Sequence, residues 1–321
     1  MDIELLVSNQ KGITHKLDAD SLSWKTTRKG RASVLDFSFP VGDPFSSQDF
    51  EINNGDIVRL QIDSDTIFYG NVVSIKDENG EAYSITAQDQ LRILMYSDTY
   101  IKTYMRADEF LRFLADNFQL NLGNVANTGY VIPKIAREKE KLMDMMDWAL
   151  SQTLLSTGNI YILYDNAGKL ELKDINEMKL DIVIGDGSFL NKYSYAESIE
   201  SDVYNQFKLV RINKEQQKKE LYIVKDSEKI SRWGLLQYYE EVDSGMNVAQ
   251  IQQKLDCLSK LKGKEKRTFD IDALGDPRVR AGTSVFIHIP KLGMQQYCLV
   301  EEASHKIQNE DYTMKLTVRM V

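Results

Sequence analysis

The sequence predicts a mainly β fold with an α+β insertion, arranged as two β-barrel domains. Apolar and polar residues alternate in short runs over the first hundred residues and again beyond residue 188, as in strands that are buried on one face. Between these regions, apolar residues recur at helical spacing. Several short strands separated by turn signals are typical of a barrel or a small sandwich.

The N-terminal region alternates most clearly in residues 32–39 and 58–62, where every second residue is apolar. A longer apolar run, 66–75, precedes the segment Asp-Glu-Asn-Gly at 77–80. Asn-Gly favours the positive φ angles of a tight hairpin turn, so we expect a return strand near residues 83–87.

The middle region changes period. Apolar residues at helical spacing predict helices over 107–118 and 138–155. Two apolar runs, 160–164 and 170–173, then flank the segment Asp-Asn-Ala-Gly at 165–168. This pattern predicts a second hairpin, and the centre therefore has the character of a small α+β module.

The C-terminal region returns to β structure. Candidate strands occupy 207–212, 221–224 and 235–239, and one helix is predicted over 247–262. The clearest strand of the sequence is 312–320, where apolar residues alternate strictly with Thr, Lys, Thr and Arg. We expect this strand to bury one face and to close the last sheet.

These patterns divide the chain into an N-terminal β-barrel domain (1–95), an α+β middle module (96–187) and a C-terminal β-barrel domain with one helix (188–321). A chain of 321 residues is long enough for two or three domains. With only five prolines and no low-complexity linker, the domains are expected to pack together.

The two β regions match weakly in phase, which indicates an internal duplication. The matched pairs are Gly55 with Gly282, Val58 with Val285, Tyr69 with Tyr297, Val72 with Val300, and Tyr83 with Tyr312. Because short strand patterns match easily by chance, duplication and coincidence are about equally supported by the residues alone.

Composition excludes several classes of protein. The net charge of -8, from 48 acidic and 40 basic residues, argues against general binding of nucleic acid. The N-terminal residues lack the basic and apolar segments of a signal peptide, and no apolar run approaches membrane-spanning length. Cys257 and Cys298 form no CxxC pair and are interpreted as buried thiols of a protein made in a reducing cytoplasm.

Motifs that carry enzymatic chemistry are missing. His15, His288 and His305 show no metal-site spacing, and His288 is expected to be a surface or interface residue. There is no nucleophile elbow, P-loop or dinucleotide-binding loop. The segment 270–276 has the wrong ligand order for an EF-hand and is interpreted as a turn, and Gly-Thr-Ser-Val at 282–285 is interpreted as a strand entry. We therefore predict no catalytic, cofactor-binding or metal-binding residues.

Two features leave alternatives open. With 48 acidic residues, folding could assemble a pair of carboxylates suited to glycoside hydrolysis, although no groove signature accompanies them. The basic run at 260–267 is a candidate nucleic-acid or peptidoglycan contact. It is explained more simply as a solvated helix end that interacts favourably with the helix dipole.

Four segments resemble one family. They are the Trp-Lys-Thr-Thr-Arg-Lys-Gly-Arg-Ala-Ser-Val-Leu-Asp-Phe stretch at 24–37, Gly-Asp-Ile-Val at 55–58, Ile-Phe-Tyr-Gly-Asn-Val at 67–72, and Gly-Asp-Pro-Arg-Val-Arg-Ala-Gly at 275–282. In this order they are similar to the baseplate hub proteins of contractile phage tails, defective prophages and phage-tail-like bacteriocins, which are related to late control protein D. The resemblance covers nearly the whole chain.

The resemblance implies two tube-protein-like β-barrels in each chain and a homotrimer whose six barrels form a ring. Such a ring joins a six-fold tail tube to a three-fold central spike. The implied partners are tail tube or inner baseplate proteins, the spike and a LysM-type adaptor protein, with no membrane and no specific nucleic acid. The implied location is the baseplate of a phage tail or tail-like particle, and the family supplies no catalytic residues.

We therefore predict a structural, non-enzymatic baseplate hub subunit. One alternative is a tail-associated peptidoglycan hydrolase, which requires a carboxylate pair in a sugar-sized cleft. The other is a carbohydrate-binding module, which requires exposed aromatic residues on one barrel face.

Overall fold

A computed structural model describes residues 1–17, 19, 21–40, 52–213, 218–308 and 311–320. The strands in these residues are β1 (Ile3–Ser8), β2 (Thr14–Leu17), β3 (Ser21–Thr27), β4 (Val34–Pro40), β5 (Ile57–Ile62), β6 (Asp65–Glu78), β7 (Ala82–Gln88), β8 (Ser97–Arg106), β9 (Leu122–Val125), β10 (Val131–Lys141), β11 (Tyr161–Asp165), β12 (Leu170–Asp174), β13 (Lys179–Gly185), β14 (Leu190–Ser198), β15 (Gln206–Asn213), β16 (Lys218–Lys225), β17 (Gln237–Val242), β18 (Lys266–Leu274), β19 (Ser284–Ile289), β20 (Met294–Gln308) and β21 (Asp311–Met320). The α-helices are α1 (Ala107–Phe118), α2 (Leu142–Thr157), α3 (Ser227–Trp233) and α4 (Val248–Lys262).

Strands β1 to β7 form an N-terminal half-sheet in the order β3-β4-β7-β6-β5-β1-β2. All neighbouring strands in it are antiparallel, and β6 and β7 form the predicted hairpin. The apolar residues of the alternating strands, such as Leu35, Val58 and Ile85, are almost fully buried in one core. The alternation in the sequence therefore reports correctly which face of each strand is inside.

The C-terminal half-sheet has the order β14-β18-β21-β20-β19-β13. The predicted final strand is confirmed as β21, which lies between β18 and β20. Its inward residues Met314, Leu316 and Val318 are buried in a second core, whereas Lys315 is exposed. The fold class predicted from the sequence, mainly β with an α+β insertion, is thus confirmed.

The two half-sheets are duplicates in strand order. Reading from β3 to β1 and from β14 to β13, six strands follow one another in the same sequence of connections. The outermost strands match in position but not in direction, because β1 runs antiparallel to β5 while β13 runs parallel to β19. The predicted duplication is therefore confirmed for strand order, and β2 has no counterpart in the described part of the C-terminal half.

Equivalent hydrogen bonds support the same conclusion. Gly55 and Gly282 have φ angles of 96° and 94°, which a residue with a Cβ atom rarely adopts. Each donates its N–H over 2.8 Å to a valine carbonyl on the long strand, Val72 in one half and Val300 in the other. The glycines matched in the sequence thus occupy the same turn in both halves.

The structure corrects one matched pair. Register shifts after Val72 in β6 and after Val300 in β20 mark the same bulge in both halves. Counting from the bulge, Thr86 is equivalent to Thr317, and each donates a hydrogen bond to an aspartate on the next strand (2.6 and 2.8 Å). Tyr83 is then equivalent to Met314, so the pairing of Tyr83 with Tyr312 is wrong by two residues.

The middle of the chain contributes helices α1 and α2 to a third core. The predicted helix 107–118 is confirmed as α1, and the helix predicted over 138–155 begins later, at Leu142. Residues 131–141 instead form β10, which pairs with β8. The predicted hairpin around 165–168 is confirmed as β11 and β12.

The chain forms two compact units, which differ from the predicted boundaries. The first contains residues 1–150, 160–194 and 269–321, and the second contains 151–159 and 195–268. In the second unit, β15 pairs with β16 and β17, and α4 packs on this sheet with a core of its own. The strands predicted near 207, 221 and 235 therefore belong to a separate small sheet with a second helix, α3, beside it. The three-domain division remains a proposal.

The duplicated core predicts a contrast between two adjacent residues of β21. Leu316→Ala removes a side chain that is 1% exposed and should lower the free energy of unfolding by about 2–5 kcal/mol. Lys315→Ala, on the exposed face, should change it by less than about 0.5 kcal/mol. Urea unfolding of both variants tests this.

A chain that ends before Asp311 should lose the C-terminal core altogether, and limited proteolysis should then cut residues 266–308. Resistance of those residues to cleavage would show that β21 is dispensable.

A candidate assembly site at the junction of the half-sheets

The two half-sheets are joined through one long strand. Residues 294–299 of β20 pair with β19, and residues 302–307 extend past β19 to pair with β3. Both segments run along the same edge of β20, because β21 pairs along its other edge. The pairing converts the two half-sheets into one continuous thirteen-stranded sheet. The outer edge of β3 is covered in this way by the other half of the chain.

A buried histidine lies at the centre of this junction. The His305 ring stacks on Trp24, with ring centroids 4.9 Å apart. Its Nε2 atom lies 2.8 Å from the Val279 carbonyl oxygen and its Nδ1 atom 2.9 Å from the Tyr312 hydroxyl. Since a carbonyl only accepts, Nε2 donates, and Nδ1 then accepts from the tyrosine. The neutral ring therefore satisfies both of its nitrogen atoms.

Burial lowers the pKa of His305 to about 4, although the bond to Val279 opposes the shift. Charging the imidazole would place a cation among apolar and aromatic groups and would turn Nδ1 from an acceptor into a donor. The junction is consequently built for an uncharged histidine.

An ion pair closes one end of the junction. Glu301, the extra residue at the β20 bulge, accepts two hydrogen bonds from the Arg28 guanidinium, at 2.6 and 3.0 Å. Arg319 lies 3.1 Å from the same carboxylate. Burial alone would raise the pKa of Glu301, but the arginines hold it below its ordinary value. The Ala281 N–H also donates to Thr26 Oγ1 over 2.8 Å.

A second polar cluster contains two buried aspartates, Asp89 and Asp165, which are 2% and 4% exposed. Asp89 accepts from the N–H groups of Ser33 and Leu91, and Asp165 accepts from Gly168. Burial, reinforced by the neighbouring Asp165, raises the pKa of Asp89 to about 7. Asp165 also accepts from the Gln90 side-chain amide over 2.8 Å. Both buried carboxylates therefore bind neighbouring N–H groups, as in turns and helix caps.

Close by, the Arg280 guanidinium lies over the Tyr164 ring, with its central carbon 4.4 Å from the ring centroid. A cation on an aromatic face is stabilised without a paired carboxylate. The charges of Asp89 and Asp165 also favour the charged arginine, whereas burial lowers its pKa. This arrangement connects the middle of the chain to the loop that precedes β19.

The three histidines are separated in the structure. His15 lies on β2, and His288 is half-buried on β19, where it lies 3.2 Å from the Gln295 amide. The prediction that His288 turns away from the core is confirmed. The role of His305 could not be predicted, because no pattern within a few residues of it points to Trp24.

The two cysteines differ in burial. Cys298 is fully buried, as predicted, and burial raises the pKa of its thiol to about 11. Cys257 on α4 is only half-buried, which corrects the expectation for that residue. Its Sγ atom lies 3.8 Å from the Leu154 carbonyl oxygen.

The remaining sequence motifs fall on ordinary elements. The 282–285 segment leads into β19 as predicted. The turn predicted over 270–276 is wrong for residues 270–274, which belong to strand β18; Asp276, just beyond that strand, binds Arg278. The basic run is split: α4 ends at Lys262, whose Nζ lies 2.6 Å from Asp202, while Lys266 and Arg267 begin β18. The helix-end interpretation therefore holds only for the first part of the run.

The carboxylates do not converge in either of two surface cavities of the described residues. A cavity of about 390 Å³ in the second unit has Asp226 as its one acidic lining residue. A second, of about 200 Å³, beside β3, β4 and β7 has only Asp36. Within the residues that the structure describes, no three His, Cys, Asp or Glu side chains cluster as metal ligands would. The helices of these described segments are all too short or too polar to cross a membrane.

Solved structures with this fold include tail proteins and a component of a type VI secretion system. A tail protein from Neisseria meningitidis MC58 matches with a TM-score of 0.72 and 13% identity, covering 100% of this chain and 97% of that one. The 43 kDa tail protein of prophage MuSo2 from Shewanella oneidensis gives 0.71 and 12%, covering 98% and 97%. The c3393 protein of E. coli, a type VI secretion component described as similar to phage T4 tail proteins gp27 and gp5, gives 0.59 and 8%, covering 98% and 76%. The fold is thus that of phage-type tail proteins, which confirms the resemblance predicted from the sequence motifs.

The sequence itself matches the YqbQ-like family over residues 22–319. Two relatives from Bacillus subtilis (strain 168) are YqbQ and the phage-like element PBSX protein XkdQ. This chain is 32% identical to YqbQ over 272 residues and 32% identical to XkdQ over 273 residues. Each match covers 84% of this chain and 82% of the relative. The chain belongs to the YqbQ-like family.

The neutral His305 predicts how stability depends on pH. An unfolded histidine titrates near 6.5, whereas His305 in the fold titrates near 4. Its contribution is therefore complete above pH 6.5 and is lost as the pH falls towards 4, by about 3 kcal/mol at about 1.4 kcal/mol per pKa unit. His305→Gln should flatten the loss of unfolding free energy between these pH values. His288→Gln is the matched control and should leave the slope unchanged. Equal slopes in all three proteins would contradict a buried neutral His305.

Proposed function

We propose that this chain is a structural baseplate hub subunit of a phage-type contractile tail. The duplicated half-sheets carry this proposal, because a chain with two equivalent sheet modules can match a ring of higher symmetry with half as many copies. The shared fold with tail proteins and the relationship to XkdQ, a protein of a phage-like element, support the same role.

In this role, three copies form a ring of six half-sheets that joins the tail tube to the central spike. Its partners are tail tube or inner baseplate proteins on one side, the spike on the other, and a LysM-type adaptor. The chain is made in the bacterial cytoplasm and ends in the baseplate of a phage, prophage or bacteriocin particle. The likeness of the fold to a protein described as similar to the T4 tail proteins gp27 and gp5 supports a place in a phage-type tail.

The mechanism we propose is mechanical, with no bond made or broken. Asp89 and Asp165, whose pKa values burial raises, accept hydrogen bonds from backbone N–H groups and line neither of the two cavities described above. No observation favours the hydrolase or the carbohydrate-binding alternative.

The first test of this function is copy number. Imaging of tail particles that contain this chain should show three copies around the axis, and native mass measurement of a solubilised baseplate should give the same number. Two, four or six copies would contradict the proposed ring, since only three copies of a two-module chain match six-fold symmetry.

The second test is enzymatic. Purified protein should not clear peptidoglycan in a turbidity assay or a zymogram. Clearing that disappears on mutation of one particular carboxylate, with the exposed Glu177→Gln as the control, would replace the structural role with a hydrolase.

A further inference from the structure

The junction between the half-sheets depends on a strand that is longer than its neighbour. β20 continues past the end of β19, and residues 302–307 use the edge freed in this way to pair with β3. The pairing is antiparallel, with Ser304 opposite Lys25 and His305 opposite Trp24. Across this strand pairing, the Lys25 Nζ atom lies 3.3 Å from the Glu302 carboxylate and forms an ion pair with it.

The N-terminal half contains the same overhang. β6 is the counterpart of β20, and its pairing with β5 ends at Asn71. Residues 74–78 pair with β7 on one edge only, within the part of the chain that the structure describes. By the position of the bulge, Lys76 is the counterpart of Ser304. The edge that β20 offers to β3 thus recurs on β6.

The counterpart of β3 is also present. β14 is the end strand of the C-terminal half-sheet, and in the described residues it pairs with β18 alone. Residues 190–194 of β14 belong to the first compact unit, and Asn191, Lys192 and Ser194 among them are exposed. An end strand of this kind presents unpaired N–H and C=O groups, which proteins normally cover.

We propose that residues 190–194 of β14 pair, antiparallel, with residues 74–78 of β6 in a second copy of this chain. The contact repeats between copies the junction that β3 and β20 make within one chain. This inference rests on the proposed function and gives its ring a specific interface. Because the two surfaces differ, each copy donates one edge and accepts another, and such a head-to-tail contact forms a ring when the rotation between successive copies completes a circle.

A second copy fits these edges better than a foreign strand does. Among the described residues, each chain has one uncovered overhang, on β6, and one end strand that is the counterpart of β3, namely β14. Self-association covers both, whereas a single foreign strand covers one. The charges also complement each other. The overhang has one net negative charge, from Asp77 and Glu78 against Lys76, whose Nζ lies 3.4 Å from Glu78. The β14 segment offers Lys192, whose side chain is 78% exposed although it contacts Asp272 at 3.0 Å.

Cysteine cross-linking of the full chain tests the pairing, in a background in which the half-buried Cys257 is replaced by serine. Lys76→Cys is combined in turn with Asn191→Cys, Lys192→Cys and Ser194→Cys, which together sample both faces of β14. Directly opposed cysteines on paired strands are close enough to form a disulfide. At least one combination should give covalent oligomers on oxidation that reducing agent returns to single chains.

Two controls bracket this result. Lys25→Cys with Ser304→Cys places cysteines at the existing junction and should cross-link within one chain, which establishes that the oxidation is effective. Lys76→Cys with Thr14→Cys uses the exposed end strand β2 instead of β14 and should give single chains only. Thermal melting of each unoxidised variant should match the parent protein.

The outcomes separate this inference from the proposed function. If mass measurement finds closed rings of three copies while none of the three β14 combinations cross-links, the β14–β6 pairing is wrong and the hub role stands. If the intrachain control cross-links but neither rings nor intermolecular disulfides form at the highest soluble concentration, the pairing and the proposed ring both fail. Cross-linking of the β2 control to the same extent as β14 would likewise overturn the specific pairing.

Discussion

Pairing of β3 with residues 302–307 of β20 connects the first strands of the chain to the last. It also completes the N-terminal core, because Ile307 packs among residues of β1 to β7 although it lies far along the sequence. Contacts between such distant segments form late, since the intervening chain must be ordered first. The N-terminal half-sheet therefore depends on the C-terminal one for part of its interior and for the cover of one edge.

The polar groups at this junction are arranged so that burial costs little. His305 stays neutral and satisfies both ring nitrogens, and Glu301 is buried only together with Arg28 and Arg319. Burying such groups adds little net stability compared with apolar packing, but leaving one of them without its partner strongly lowers the free energy of unfolding. The polar groups therefore act mainly to fix the register of β3 on β20, because a slip by one residue would separate them from their partners.

Much of the fold could be predicted because it is encoded locally. Alternation identified β4, β5 and β21, Asn-Gly identified the hairpin after β6, and helical spacing identified α1. The duplication was visible at Gly55 and Gly282, since only a turn with positive φ imposes glycine there. The Tyr83–Tyr312 match failed because alternation repeats every two residues and gives no absolute register.

The junction could not be predicted, since its residues carry no local signature. Trp24 and His305 lie 281 positions apart and become neighbours only through the strand order. The small sheet of residues 206–242 has the same alternation as barrel strands, so its separate core was invisible in the sequence. Pairing partners are decided by tertiary contacts, whereas the pattern of a single strand reports only which side is buried.

The bulge offers a consequence of a different kind. The extra residue is Glu301 in β20 but Val73 at the equivalent place in β6, so only the C-terminal copy of the bulge carries the carboxylate that binds Arg28. A junction formed on β6 therefore lacks this ion pair. The two kinds of junction around the proposed ring would then differ in mechanical strength. The β3–β20 junction forms when the chain folds, and the β14–β6 junction between chains would separate first under load.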